Sequence, residues 1–219
     1  MKSYEEIKKD TKIKAYIEGA DRALEAVGYT EHSFPHVLLT AKRAKYLLSS
    51  LGFSEKEQEL ASIAAYLHDI GNLVNRAEHA QSGAVMAFSL LEDMGFSPED
   101  TAEITSAIGN HDEGTGAPIS PISAALILAD KSDVRRSRVR NSDPAPFDIH
   151  DRVNFSANAS ELMIDKKEKT AKLCLTVDTK YCSIMDYFEI FLDRMILSRR
   201  AAEFLGLRFE LFINDNRLL

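Results

Sequence analysis

From residue 4 to about residue 138 the apolar residues recur at a helical period with few interruptions, a pattern that few folds besides a packed set of helices can satisfy. Between residues 4 and 27 the apolar positions are Ile7, Ile13, Tyr16, Ile17, Ala20, Leu24 and Val27, one amphipathic helix with Gly28 as its stop. Ser33-Phe34-Pro35 reads as the next start, because Ser caps and Pro is tolerated in a first turn; this helix runs through His36, Val37, Leu39, Ala44, Leu47 and Leu48 to Gly52. Ser54 and Glu57 have capping-box spacing and open a helix through Leu60, Ile63, Ala64, Leu67 and His68 that ends near Gly71. Further helices are expected from about Ala77 to Met94, from Ser97-Pro98 to His111, and, after a break at Pro118 to Pro121, from Ser123 to about Arg138.

The pattern then changes. Residues 141–158 are rich in Asn, Asp, Ser and Pro and read as a long loop. Alternation at residues 161–164 and 172–177, around a charged turn at 165–169, predicts a β-hairpin. An apolar helix from Ser183 to Leu205 and a strand from Arg208 to Ile213 complete a β-β-α-β tail, expected as a small antiparallel sheet under one helix. The fold class expected is therefore mainly α: a helical domain over residues 1–140, a loop at 141–158 and a small α+β appendage at 159–219. The tail reads as a dimerisation element of a homodimer, a ligand sensor or a lid packed on the helices, and the sequence leaves these open.

Composition narrows the function classes. A net charge of -7 argues against a broad nucleic-acid-binding surface. The two cysteines, Cys174 and Cys182, lack partners at zinc-site spacing and read as small, half-buried side chains in a reducing compartment. Residues 1–10 are charged, with no apolar leader core, and no stretch reaches the ~20 apolar residues a bilayer requires; the expectation is a cytoplasmic protein with no membrane association.

The chemistry gathers on histidine and aspartate. Of the six histidines, His36, His68, His79 and His111 fall at helix starts or ends, whereas His32 and His150 read as rim or surface residues. His68-Asp69 follows the apolar run Ile63-Ala64-Ala65-Tyr66-Leu67, and Asp130 follows Ala124-Ala125-Leu126-Ile127-Leu128-Ala129. Charged groups behind such runs are costly to bury unless paired or metal-bound, and imidazole with carboxylate suits Fe, Mn, Co, Ni and Zn. Neighbours on a helix point ~100° apart, so His68 and Asp69 can share a metal only if it lies off the helix end. A carboxylate can bridge two metals; an imidazole cannot.

The order His36, His68-Asp69, Asp130, within Ala65-Tyr66-Leu67-His68-Asp69-Ile70-Gly71 and Leu128-Ala129-Asp130, resembles the HD-domain superfamily of metal-dependent phosphohydrolases over about residues 30 to 140. With His79 in His79-Ala80-Gln81-Ser82-Gly83-Ala84 and His111 in Ala107-Ile108-Gly109-Asn110-His111, the set is similar to binuclear members of the symmetrical diadenosine tetraphosphate hydrolase group. The resemblance implies an HD-type helical bundle and two divalent metals (Fe, Mn, Ni, Co or Zn, with Mg admissible). His36, His68, Asp69 and Asp130 would hold one metal, Asp69 would bridge, and His79 and His111 would complete the second site. Asp69 and His68 would be catalytic, and a metal-activated hydroxide would hydrolyse a phosphate ester or anhydride of a nucleotide or other small phosphorylated metabolite.

Asn72 stands where many members carry a Lys that can meet a phosphate, and no Gly-Tyr-Pro follows His111 as in the cyclic-dinucleotide phosphodiesterases. Asn72, Asp133, Arg135 and Arg138 are the candidate substrate contacts. Arg135 and Arg138 belong to a basic run with Lys131, Arg136 and Arg140, and guanidinium matches phosphate bidentately; Arg138 would lie two helical turns, ~12 Å, beyond Asp130. Glu78, Asp112 and Asp133 are candidates for orienting the imidazoles. The same ligand order occurs in mixed-valent di-iron oxygenases of the superfamily, and a non-catalytic regulatory HD module is the further alternative.

Overall fold

The structure, a computed structural model, describes residues 2–140 and 149–219, with side chains in the second segment from residue 151 onward. The first part of the expected loop, 141–148, and the side chain of His150 lie outside the described residues. The elements are α1 (Tyr4–Ile7), α2 (Thr11–Ala26), α3 (Phe34–Leu51), α4 (Glu55–Leu67), α5 (His79–Asp93), α6 (Pro98–Gly109), α7 (Pro121–Lys131), α8 (Ile149–Ser156), β1 (Ala157–Asp165), β2 (Thr170–Val177), α9 (Ile184–Phe204), β3 (Arg208–Ile213) and β4 (Asn216–Arg217), with 3₁₀ turns at Ile70–Leu73 and Arg136–Arg138. The protein is mainly α with one small sheet, as the periodicity predicts. No helix among the described residues is long and apolar enough to cross a membrane.

Two helices carry the core because their sequences offer no polar face. Every residue of α4 from Leu60 to Leu67 and every residue of α7 from Ile122 to Lys131 is buried. They pack against each other and against α3 and α6, and α9 covers α7. Each fully buried Leu or Ile contributes about 1.5–3 kcal/mol, so these helices are fixed in place, and the residues at their ends are fixed with them. Ser54 and Glu57 form the expected capping box at the start of α4, and Gly52 (φ 85°) supplies the left-handed turn that ends α3.

Five details depart from the sequence expectations. The first helix is two: Asp10 accepts from the backbone N–H groups of Lys12 and Ile13 and starts α2 afresh. Ser33 does not cap α3, because its hydroxyl donates to Glu31 instead. The last helix of the block stops at Lys131 rather than near Arg138. Ser132 turns its hydroxyl back to the Ala129 carbonyl, and Asp133 is taken by distant partners; both side chains compete with the helix. Within the stretch read as a loop, residues 149–156 form α8 and Ala157 already begins β1.

The fifth concerns the sheet, of order β1-β2-β3-β4. β1 and β2 form the expected antiparallel hairpin, its turn held by Asp165 accepting from the N–H groups of Lys167 and Glu168. β3, however, pairs with β2 in parallel. A parallel pair needs a crossover, and the 21-residue α9 is that crossover.

Candidate metal centre

Four of the six predicted ligands sit where a helix stops. His68 caps the C-terminus of α4, Asp69 begins the turn that follows, His111 comes two residues after α6, and Asp130 lies in the last turn of α7. His36 is in the first turn of α3, and His79 is the first residue of α5. Helix C-termini carry partial negative charge, which favours a cation among them. All six side chains are buried, between 0% and 5% exposed.

The donor atoms converge in two sets that share Asp69. In the first, Nε2 of His36 lies 3.2 Å from Nε2 of His68, 3.5 Å from Asp69 Oδ2 and 3.4 Å from Asp130 Oδ1. His68 Nε2 is 3.2 Å from Asp69 Oδ2 and 3.7 Å from Asp130 Oδ1. In the second, Asp69 Oδ1 faces Nε2 of His79 at 3.6 Å and of His111 at 4.0 Å, and those two nitrogens are 3.2 Å apart. With metal–ligand bonds of about 2.1 Å, the edge of an octahedron is about 3.0 Å and that of a tetrahedron about 3.4 Å, so this spacing fits ligands around a common ion. His36, His68 and Asp130 form one group able to hold a metal, and His68, Asp69 and His111 another.

The rings are aimed by their other nitrogens. Nδ1 of His68 donates to the Ala65 carbonyl at 2.7 Å, Nδ1 of His111 to Ile108 at 2.6 Å, and Nδ1 of His79 to Arg76 at 3.0 Å. Each partner is a backbone carbonyl three residues earlier. Only His36 uses a carboxylate, Asp133 Oδ2 at 2.7 Å. A carbonyl or carboxylate oxygen can only accept, so each Nδ1 carries a proton, and in the neutral ring each Nε2 presents a lone pair. Nε2 of His79 and Nε2 of His111, on rings that burial keeps neutral, face each other at 3.2 Å and repel unless a cation stands between them, and the Nε2 atoms of His36 and His68, also 3.2 Å apart, need a proton or a cation there; on this ground the residues fit bound metal.

Electrostatics point the same way. Burial, which opposes charge, is outweighed at His68 by the Asp69 and Asp130 carboxylates, and its pKa rises to about 10. His36 also rises against burial and Arg138, through Asp130, Asp133 and Asp69. Asp69 and Asp130 lie well below the usual carboxylate range despite burial, Asp69 through His68 and His36 and Asp130 through Lys131 and His36. His79 and His111 are lowered, chiefly by burial. Without metal, protons on the first set of imidazoles balance the carboxylates; a divalent cation can take that place.

A glycine joins the two halves of the centre. A Cβ on Gly71 would come 2.0 Å from the His79 carbonyl oxygen and 2.4 Å from the Gly83 nitrogen, so only glycine lets the turn after Asp69 lie against the start of α5.

The residues proposed as substrate contacts have other partners. Asn72 is buried and donates to Asp69 Oδ1 at 2.9 Å and to the Asp69 carbonyl, which orients the shared ligand. Asp133 accepts from His36 and from Arg135 Nε at 2.7 Å. It is therefore the carboxylate that orients an imidazole, while Glu78 only precedes α5 and Asp112 lies 3.8 Å from His79 Nε2. Arg135 spans Asp133 and Glu31. Arg138 is folded inward, with Nε and Nη1 donating to the carbonyls of Glu31 and Asp133, because the helix that would have carried it outward has ended. Arg136 stacks on Phe155 and Tyr181, and Arg140 pairs with Asp21. The basic run is thus mostly spent on internal bonds.

Asp69, Asp130, His79 and His111 open onto a cavity of about 560 Å³. Several residues there gave no warning in sequence. Lys131, fully buried, donates to Asp130 Oδ2 at 2.8 Å and pairs with Glu113. Arg76 and Arg138 line the wall with His32, and the last loop of the N-terminal helices adds Val27 and Tyr29. Asn154 comes from α8, and Ile190, Phe191 and Arg194 come from α9 in the tail. Lys131 was noted only as part of a charge run; its place directly after Asp130 on a buried helix was the available signal.

Residues 34–135 match the HD domain family. This segment, from the first residue of α3 to just beyond α7, contains His36, His68, Asp69, His79, His111 and Asp130, together with Asp133. An uncharacterized protein of Methanocaldococcus jannaschii is 28% identical over 160 residues, or 63% of this chain and 61% of the relative, so the chain spans less than two thirds of that relative's length. A solved structure of a predicted HD superfamily hydrolase from an uncultured Thermotogales bacterium is 28% identical, with a TM-score of 0.45 over 57% of this chain and 67% of that one. The HD match covers neither the loop after α2 nor the tail, although both line the cavity.

Proposed function

We propose that the protein is a metal-dependent phosphohydrolase that uses two divalent metals to hydrolyse a small phosphorylated substrate. The observation that carries this reading is the division of Asp69: Oδ2 faces His36 and His68, and Oδ1 faces His79 and His111. The HD domain match supports the reaction class, and the unbroken set of six ligands favours an enzyme over a regulatory module. When bound, a pair of divalent metals lowers the pKa of coordinated water and offsets charge on a phosphoryl group.

The chain's own residues supply the rest. Asp133 and three backbone carbonyls hold each imidazole by Nδ1, which turns Nε2 toward the cluster. Asn72 orients Asp69 through Oδ1, which keeps its second lone pair for a ligand, and Lys131 holds Asp130 Oδ2, which leaves Oδ1 turned to His36 and His68. Arg76, Lys131 and Arg138 place positive charge on the cavity wall beside Asp69 and Asp130, which offsets their repulsion of a phosphate. Burial, which excludes water from the imidazoles, strengthens each of these interactions.

The test is phosphate release from nucleotides, dinucleoside polyphosphates and phosphomonoesters after loading with Mn, Fe, Co, Ni, Zn or Mg. Turnover with at least one metal and substrate is expected. A mixed-valent iron resonance with no phosphate release from any ester would replace this reading with the oxygenase alternative.

A further inference from the structure

Arg194 is at odds with its surroundings. It lies on α9, outside the segment that matches the HD domain, yet it lines the same cavity as Asp69 and Asp130. Its side chain is only 12% exposed. Its Nε is buried with no hydrogen-bond partner, and among the described residues the one carboxylate paired with it is Glu113, at 3.9 Å. Glu113 is already engaged closely by Lys131, which in turn holds Asp130. Arg138 and Arg135 differ: each spends its donors on carbonyls or carboxylates at 2.7–3.1 Å.

A guanidinium carries five donors, and a buried donor left unpaired costs about 1–3 kcal/mol, more when charged. A fold that keeps such a group beside a cavity needs an acceptor from elsewhere. The side chain is also held: its guanidinium carbon sits 4.7 Å from the centre of the Phe191 ring, so its plane is set before anything binds. A fixed, under-used guanidinium suits an oxyanion, which it meets with two parallel N–H groups. Among the described residues no ion pair joins Arg194 to Asp69 or Asp130; its link to Asp130 runs through Glu113 and Lys131, which sets it one step out from the His/Asp cluster and leaves it for an anionic group other than the one at the metals. A second anionic group on the substrate fits this position, and Ile190 and Phe191 beside it leave room for an apolar or aromatic portion.

We infer that Arg194 binds a second phosphate of the substrate, so that the C-terminal element completes the site and selects organic phosphates with at least two anionic groups. This rests on the phosphohydrolase reading for the first phosphate but not for the second. It also gives the tail a task that covering the core does not require.

The test is calorimetric titration of inorganic pyrophosphate and inorganic phosphate into wild type, Arg194→Met and Arg194→Lys, each with Mn and after chelation, with metal content and melting temperature measured alongside. Met keeps an apolar stem on Phe191 and removes the charge. Pyrophosphate affinity is expected to fall at least tenfold in Arg194→Met and to recover in part in Arg194→Lys, with phosphate affinity and metal content of the loaded protein unchanged. Wild-type pyrophosphate affinity in Arg194→Met would overturn the inference while leaving the hydrolase reading intact. Equal losses of both anions and of metal would also overturn it, in favour of a structural role. Arg194-dependent pyrophosphate binding that needs no metal, in a protein that hydrolyses no ester, would support the inference and remove the hydrolase reading. A wild type that binds neither anion would overturn the inference.

Discussion

Asp133→Asn separates a residue that orients a ligand from one that touches substrate. The Asp133 carboxylate is buried and accepts from His36 Nδ1 at 2.7 Å and from Arg135 at 2.7 and 3.2 Å. His36 and the two arginines hold its pKa far below the usual range against the effect of burial. An asparagine of the same shape offers one oxygen and one NH₂, so at least one of these donors must face another donor. A charge-assisted hydrogen bond of this kind is worth about 1.5–3 kcal/mol. Arg138 keeps its two backbone acceptors, so the loss is not compounded there. The metal-free variant should therefore lose about 2–3 kcal/mol, or roughly 4–12 °C in melting temperature for a chain of this size. Loss of an outer partner of a ligating histidine should weaken metal binding 10–100-fold, as read by competition with a chromogenic chelator. A variant with wild-type metal affinity and stability but an altered KM would refute the reasoning and return Asp133 to the substrate contacts.

Three further outcomes are expected. Gly71→Ala should destabilise the protein by about 3 kcal/mol or more in urea titration, because the new Cβ meets backbone and not a movable side chain; a loss under 1 kcal/mol would show that α5 can shift freely. Chelated protein should lose stability as pH rises from about 6.5 to about 10, since the folded pKa of His68 lies above its ordinary value and its contribution is full below pH 6.5. The metal-loaded protein should lack that loss, and metal uptake at pH 8 should release protons, seen as a buffer-dependent binding enthalpy; a metal-free protein that gained stability over this window would contradict it.

What the sequence made legible was what local rules govern. The capping box at Ser54 and the glycine stop at Gly52 follow from the residues beside them, and the fully apolar runs of α4 and α7 announce buried helices with charged groups at their ends. The meeting of His36, His68, Asp69 and Asp130 follows once those helices pack. The end of α7 was hidden, because the partners that draw Asp133 out of the helix, His36 and Arg135, include one 97 residues away. The parallel pairing of β3 was hidden too: alternation marks a strand but not its neighbour's direction. Arg194 gave no signal as a site residue, and Lys131 only its place directly after Asp130 on a buried helix, because their chemistry depends on what surrounds them and a lysine or arginine on a helix otherwise reads as solvated.

The central claim is that the buried His/Asp cluster is a two-metal centre joined by Asp69. Metal per chain, measured by mass spectrometry on wild type and Asp69→Ala after loading and gel filtration, tests it most directly. Two equivalents in wild type and a loss of both sites in Asp69→Ala, with helix content retained by circular dichroism, are the results expected. An Asp69→Ala protein that kept its full complement of metal would contradict the account.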